Sequence, residues 1–312
     1  MKIVKQGMVI TAAMIMVLAA GCSGKPNKGE AELTVTPVPT EVVAEAPTAT
    51  PTVAVEEDMN KTYEVTIEEL IITEGEKEIY GKIYCPKEEG TYPAVILSHG
   101  YNGCHTDFTG ECKYFASHGY VAYTFDFSGG STRSKSKGAS TDMTIFTEKE
   151  DLMAVFRYIK GLDTVDKDRI FLFGGSQGGL VSALAAEEFA EEVKGMVLYF
   201  PAFNIPDDWR KNYATEESIP ETLDFWGLKL GKVFFTSMRE FYTFEHVGSF
   251  EKDILIIHGD KDTIAPLRYS KKAKEHYKSV ELVVLEGEGH GFTPQANQTA
   301  MELALEFMNE HN

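Results

Sequence analysis

Cysteine is scarce in this chain of 312 residues: there are four, at positions 22, 85, 104 and 112. None forms a CxxC pair, and no Cys/His spacing suggests zinc, so neither a metal nor another cofactor is expected. Unpaired thiols are the expectation for the last three, with a Cys104–Cys112 disulfide as the alternative outside the cytoplasm. Positive charge is also short, with 30 Lys and Arg against 48 Asp and Glu, a net of −18. Such a surface excludes nucleic acid as a partner and disfavours anionic membranes. No internal repeat is present, and only one long apolar run occurs, MVITAAMIMVLAA, close to the N-terminus.

That run follows Lys2 and Lys5 and ends in small residues before Cys22, so residues 1–21 read as a secretory signal. LAAGC at 18–22 resembles a bacterial lipobox, which implies diacylated Cys22 as the mature N-terminus and an extracytoplasmic, lipid-anchored protein on a bacterial membrane. Membrane contact is then expected through the lipid alone. Residues 22–60 follow without apolar periodicity, rich in Thr, Pro, Ala, Val and Glu, with two lysines against seven acids. Such a stretch buries too little surface to offset its ordering entropy and is expected to be a disordered tether. Extended at ~3.1 Å per residue, its 35 or so residues span roughly 110 Å.

Residues 61–312 suffice for one large α/β domain. VTIEELIIT (65–73) and KEIYGKIYC (77–85) read as an antiparallel hairpin. AVILS, VAYTFD, RIFLF, GMVLYF, DILIIH and ELVVL then recur as apolar runs without alternation, separated by helical patterns. Helices are expected at 148–160, opened by a Thr147–Glu150 capping box, and at 267–277 and 298–309. Strands of this kind imply a mostly parallel sheet covered on both faces. Residues 201–252 break the rhythm and are loaded with aromatics; an inserted lid at about 203–250, with short helices or a hairpin of its own, is expected there.

The stretch FLFGGSQGGL (171–180) sets Ser176 in G-x-S-x-G between a strand and a helix, the context of a nucleophile elbow. A serine needs a base and an orienting acid. IIHGDKDTIAP (256–266) offers Asp260 and Asp262 just past a strand's end, and EGEGHGF (286–292) offers His290 in a glycine-rich loop. His258 and His99 read as braces for loop backbone, and His105, His118, His246 and His276 as surface or packing residues.

From about residue 63 onward, SHGYNG, DFSGGSTRS, GGSQGG, HGDKDTIAP and GEGHGF together resemble the α/β-hydrolase superfamily, in particular bacterial feruloyl and cinnamoyl esterase-like serine hydrolases. The resemblance implies an α/β-hydrolase fold with a lid, Asp262 rather than Asp260 as the acid, and an oxyanion hole of the Tyr101 and Gln177 backbone N–H groups. Two departures touch the pocket: Gly175 stands where the family has a histidine, and Gly129-Gly130-Ser131 alters a loop spacing. The expected activity is carboxylic ester hydrolysis through an acyl-enzyme, on small-molecule or oligosaccharide esters such as hydroxycinnamoyl or acetyl decorations of plant saccharides. The alternatives are a serine peptidase of the same fold and a surface binding protein that has lost catalysis.

Overall fold

In the computed structural model, residues 61–312 are described. The signal, Cys22 and the tether lie outside them. Two long strands, β1 (Val65–Glu74) and β2 (Lys77–Pro86), form the N-terminal hairpin, with a turn at Gly75, whose φ of 60° suits a residue without Cβ. The chain then alternates through β3 (Tyr92–Ser98), α1 (Thr109–Ser117), β4 (Val121–Phe125), α2 (Ile145–Lys160), β5 (Val165–Gly175), α3 (Gln177–Glu188) and β6 (Gly195–Tyr199). An insert follows: α4 (Ile205–Asn212), a short 3₁₀ turn, the hairpin of β7 (Thr222–Phe225) and β8 (Leu228–Gly231), α5 (Lys232–Thr236) and α6 (Thr243–His246). β9 (Ile254–Gly259), α7 (Arg268–His276), β10 (Val280–Leu285) and α8 (Pro294–Glu310) complete the chain.

Eight strands form one sheet in the order β1-β2-β4-β3-β5-β6-β9-β10, antiparallel only at β1/β2 and β2/β4. This is the α/β-hydrolase architecture. The apolar strands lack alternation because both faces are covered. In β5, Ile170 and Leu172 pack toward α2 and α3, while Phe171 and Phe173 pack toward α1 and α8. The central strands therefore feed two cores along their buried stretches, where consecutive positions are mostly apolar.

Two expectations need correction. Helix α2 starts at Ile145, not Glu148: extended Thr144 (φ −142°, ψ 165°) is its cap, and the box closes through the Thr147 hydroxyl rather than Glu150. A threonine three residues in reaches back as a glutamate would, which moves the start one turn earlier. α8 likewise begins four residues early, at Pro294, because the Thr293 side chain caps it and proline suits the first helical position. The expected unpaired thiols are found: Cys104 and Cys112 are free and both buried, and Cys104 Sγ meets Thr106 Oγ1 at 3.0 Å.

Candidate active site

Ser176 sits between β5 and α3 with φ 53° and ψ −120°, a backbone region that costs a non-glycine residue ~1–3 kcal/mol. Its neighbours must be glycine. A Cβ on Gly178 would lie 2.2 Å from the Ser98 carbonyl oxygen, and one on Gly174 2.3 Å from that of Gly178. The strain is held by main-chain bonds: Ser176 N–H donates to Tyr199 O (3.0 Å), and Ser176 O accepts from Ala202 N–H (2.9 Å). The corner lifts the hydroxyl above the carboxyl edge of the sheet, where the loops after β9 and β10 also arrive.

His290, on the loop after β10, places Nε2 2.8 Å from Ser176 Oγ and Nδ1 2.8 Å from Asp262 Oδ2. An ionised carboxylate only accepts, so Nδ1 carries the proton and Nε2 accepts from the serine hydroxyl. Asp262 is built into its loop: Oδ1 accepts from the N–H groups of Ile264 (2.8 Å) and Ala265 (2.9 Å). Burial alone would raise this carboxyl's pKa. Hydrogen bonds from His258, His290 and Ala265 overcome that and hold it well below the usual carboxylate range. Asp260 faces elsewhere, accepting from Gly287 N–H (2.6 Å) and Lys261 Nζ (2.9 Å).

His258 is fully buried and bridges Ala265 O (2.7 Å), Ser270 Oγ (2.8 Å) and Asp262 Oδ2 (3.2 Å). It braces the loop as its sequence context suggested, and it also touches the carboxylate directly. His99 likewise braces backbone, meeting Gly100 O at 2.7 Å and accepting from Phe127 N–H at 3.1 Å. His105 is more than a packing residue. It is buried, with its backbone N–H (2.7 Å) and Nδ1 (2.8 Å) both on Asp126 Oδ1. Cys104 Sγ lies in the same cluster, within 4.8 Å of those ligand-type atoms. Asp126 Oδ2 is engaged by Lys135 N–H at 2.8 Å, so the carboxylate ties three pieces of loop together.

Tyr101 and Gln177 border a cavity of about 290 Å³ that begins at Ser176 and runs beneath the insert. Trp209, Phe225, Trp226 and Phe234 supply its aromatic wall. The Tyr101 hydroxyl donates to Phe225 O (2.7 Å) and Asn102 Nδ2 to Trp226 O (3.1 Å), so the loop after β3 is tied to the β7–β8 hairpin. Asn204 also lines the cavity, and its Oδ1 is buried without a hydrogen-bond partner. Beneath Gln177 lies a residue the sequence did not single out: Glu148 of α2, 1 % exposed, accepting from Gln177 Nε2 at 2.7 Å. Burial pushes its carboxyl up to about 8, despite the opposing hydrogen bond from Gln177.

Sheet order, the strained serine corner and the Ser–His–Asp contact define an α/β-hydrolase. Within that class the chain belongs to the prolyl oligopeptidase family, whose model matches residues 106–312. A second family model, acetyl xylan esterase, matches residues 43–150. Among solved structures, Est1E from Butyrivibrio proteoclasticus with ferulic acid bound is similar at TM-score 0.71 and 28 % identity, covering 78 % of this chain and 98 % of that one. The uncharacterized peptidase YtmA of Bacillus subtilis (strain 168) is 23 % identical over 236 residues, 74 % of this chain and 88 % of the relative. Caffeoylshikimate esterase of Arabidopsis thaliana is 28 % identical over 140 residues, 44 % of this chain and 41 % of that protein. Esterases and peptidases thus both stand among its kin, and the chain is an esterase-type α/β-hydrolase.

Proposed function

We propose that this protein is a serine carboxylesterase working through an acyl-enzyme. The observation that carries the reading is the continuous contact from Ser176 Oγ to His290 Nε2 and from His290 Nδ1 to Asp262, 2.8 Å at each step. His290 takes the hydroxyl proton as Ser176 Oγ bonds to the ester carbon, and the carbonyl oxygen becomes an oxyanion facing the N–H groups of Tyr101 and Gln177. The imidazolium, oriented by Asp262, returns the proton to the departing alkoxide as the C–O bond breaks. Water then enters, gives its proton to His290, and releases the acid and free Ser176. The aromatic wall, the unpartnered Asn204 Oδ1 and the likeness to Est1E with ferulic acid bound support a hydroxycinnamoyl acyl group. Acetyl esters of plant saccharides remain within the same reading, given the acetyl xylan esterase match. The protein would act outside the cytoplasm, tethered through lipidated Cys22, with no cofactor and no nucleic-acid partner.

A peptidase of the same mechanism is the second reading, favoured by the family to which residues 106–312 belong. A fluorophosphonate probe combined with a substrate panel tests both. Labelling is expected in the wild type and not in Ser176→Ala, and Asp262→Asn should lower ester turnover by about 10⁴-fold. Turnover of aminoacyl anilides in preference to feruloyl, butyryl and acetyl esters would move the protein to the peptidase side. A folded wild type that neither labels nor hydrolyses would leave a binding protein.

A further inference from the structure

A second cavity, of about 330 Å³, meets the first at Ser176. It lies on the other side of the sheet. Phe108, Phe200 and Phe292 in its wall belong to the packing layer of α1 and α8, whereas Tyr101, Ile205, Trp209, Phe225 and Phe234 around the cavity under the insert belong to the layer of α2 and α3. Gly175 helps to open it: a Cβ there would come 2.8 Å from Phe108 Cζ.

Besides Asp107, which accepts from Cys104 N–H and Arg133, three polar groups in this wall take no part in the relay. Glu111 of α1 is 5 % exposed, and its Oε1 accepts from Asn297 Nδ2 of α8 at 2.8 Å. Tyr199 is 1 % exposed, and its hydroxyl is buried without a hydrogen-bond partner. Burial pushes both the Glu111 carboxyl and the Tyr199 phenol up, which favours their neutral, hydrogen-bonding forms. An unpartnered buried hydroxyl is costly to maintain, so a ligand that supplies a partner gains from it.

The position next to the imidazole decides what belongs here. His290 stands edge-on to Phe200 at 4.8 Å between ring centroids, and Phe200 to Phe292 at 4.9 Å. The general acid must hand its proton to the departing oxygen, so the alcohol half of the ester leaves on this side. The expected oxyanion donors, Tyr101 and Gln177, border the other cavity, so the acyl half lies under the insert. We propose that the cavity of Glu111, Tyr199 and Asn297 is the alcohol subsite and that it takes a hydroxyl-rich leaving group, a saccharide or polyol. The assignment rests on the serine-esterase reading above. A sugar ring presents hydroxyls to the carboxyl, amide and phenol while its C–H face lies on Phe200 or Phe292. A short alkyl alcohol leaves those polar groups unanswered.

Two esters of one acid test this: ferulate on methanol and ferulate on the primary hydroxyl of arabinofuranose. Both give the same acyl-enzyme, so a difference in kcat/KM reports the alcohol half alone. The wild type is expected to favour the glycosyl ester by about tenfold or more, the worth of one or two added hydrogen bonds. Tyr199→Phe, Glu111→Gln and Asn297→Ala, each checked for folding by its thermal melt, should shrink that ratio toward one. Partitioning gives an independent measure: glycerol should divert the feruloyl-enzyme from water better than 1-propanol does, and Tyr199→Phe should erase the advantage. A wild-type ratio near one, or a ratio that survives all three substitutions, overturns the subsite and leaves the esterase intact. If neither ester is cleaved and no probe labels Ser176, the reading beneath it goes instead.

Discussion

A carboxyl group sealed directly under the nucleophile's neighbour responds to pH unlike one in water. Glu148 binds its proton up to about pH 8 in the folded protein, against an ordinary value of 4.5. Between those limits the folded state holds a proton that the unfolded state releases, so the Glu148 contribution to stability falls as pH rises through that window. Glu148→Gln preserves the shape and the contact with Gln177 while removing the titration. Its thermal melting temperature should therefore gain on the wild type between about pH 5 and pH 8. Parallel melting curves across that range would show that the wild-type carboxyl is already ionised or solvated. Asp262 has the opposite sign: its depressed pKa keeps it charged wherever the enzyme is expected to work, so the orienting contact to His290 does not fade on mild acidification. Ser176, Asp262 and His290 were legible in the sequence because each sits in a short motif whose glycines serve local backbone needs. Glu148, Glu111 and Tyr199 were not. A glutamate on an amphipathic helix looks alike whether its face meets water or the turn beneath a serine.

The insert between β6 and β9 converts a serine at a sheet edge into one at the foot of a slot. Trp209 of α4 is its joint, with ring centroids 5.0 Å from Phe225 of β7 and 4.7 Å from Phe235 of α5, edge-on to both. Trp209→Ala should loosen these elements from one another and cost about 2 kcal/mol, since the indole is half-buried. The kinetic consequence separates packing from recognition: KM for a feruloyl ester should rise several-fold more than KM for the acetyl ester of the same alcohol. Equal changes for the two esters would assign Trp209 to scaffold alone. The abundance of aromatics at 201–252 marked this segment as an insert with structure of its own. Which rings face the cavity was settled by the pairing of β7 with β8 and the two bonds from Tyr101 and Asn102 to that hairpin.

At the scale of the whole molecule the chain combines an acidic enzyme body with an N-terminal segment that the proposal assigns to lipid attachment. With a net charge of −18, the protein has little electrostatic attraction to an anionic bilayer. Cys22→Ser should thus move the full-length protein from the membrane fraction to the soluble fraction, with turnover per molecule unchanged because the anchor lies outside the catalytic machinery. Persistence in the membrane fraction would point to a contact other than the acyl chains.

Taken by itself, the order of residues determined the parallel sheet, the hairpin ahead of it and the three groups of the relay. These depend on apolar runs and glycine turns, which act over a few neighbouring positions. Only the folded chain decided that two cavities converge on Ser176 and that Glu148 lies under Gln177. Those facts come from segments up to 186 residues apart, as between Glu111 and Asn297, whose meeting depends on how helices cover the two faces of the sheet.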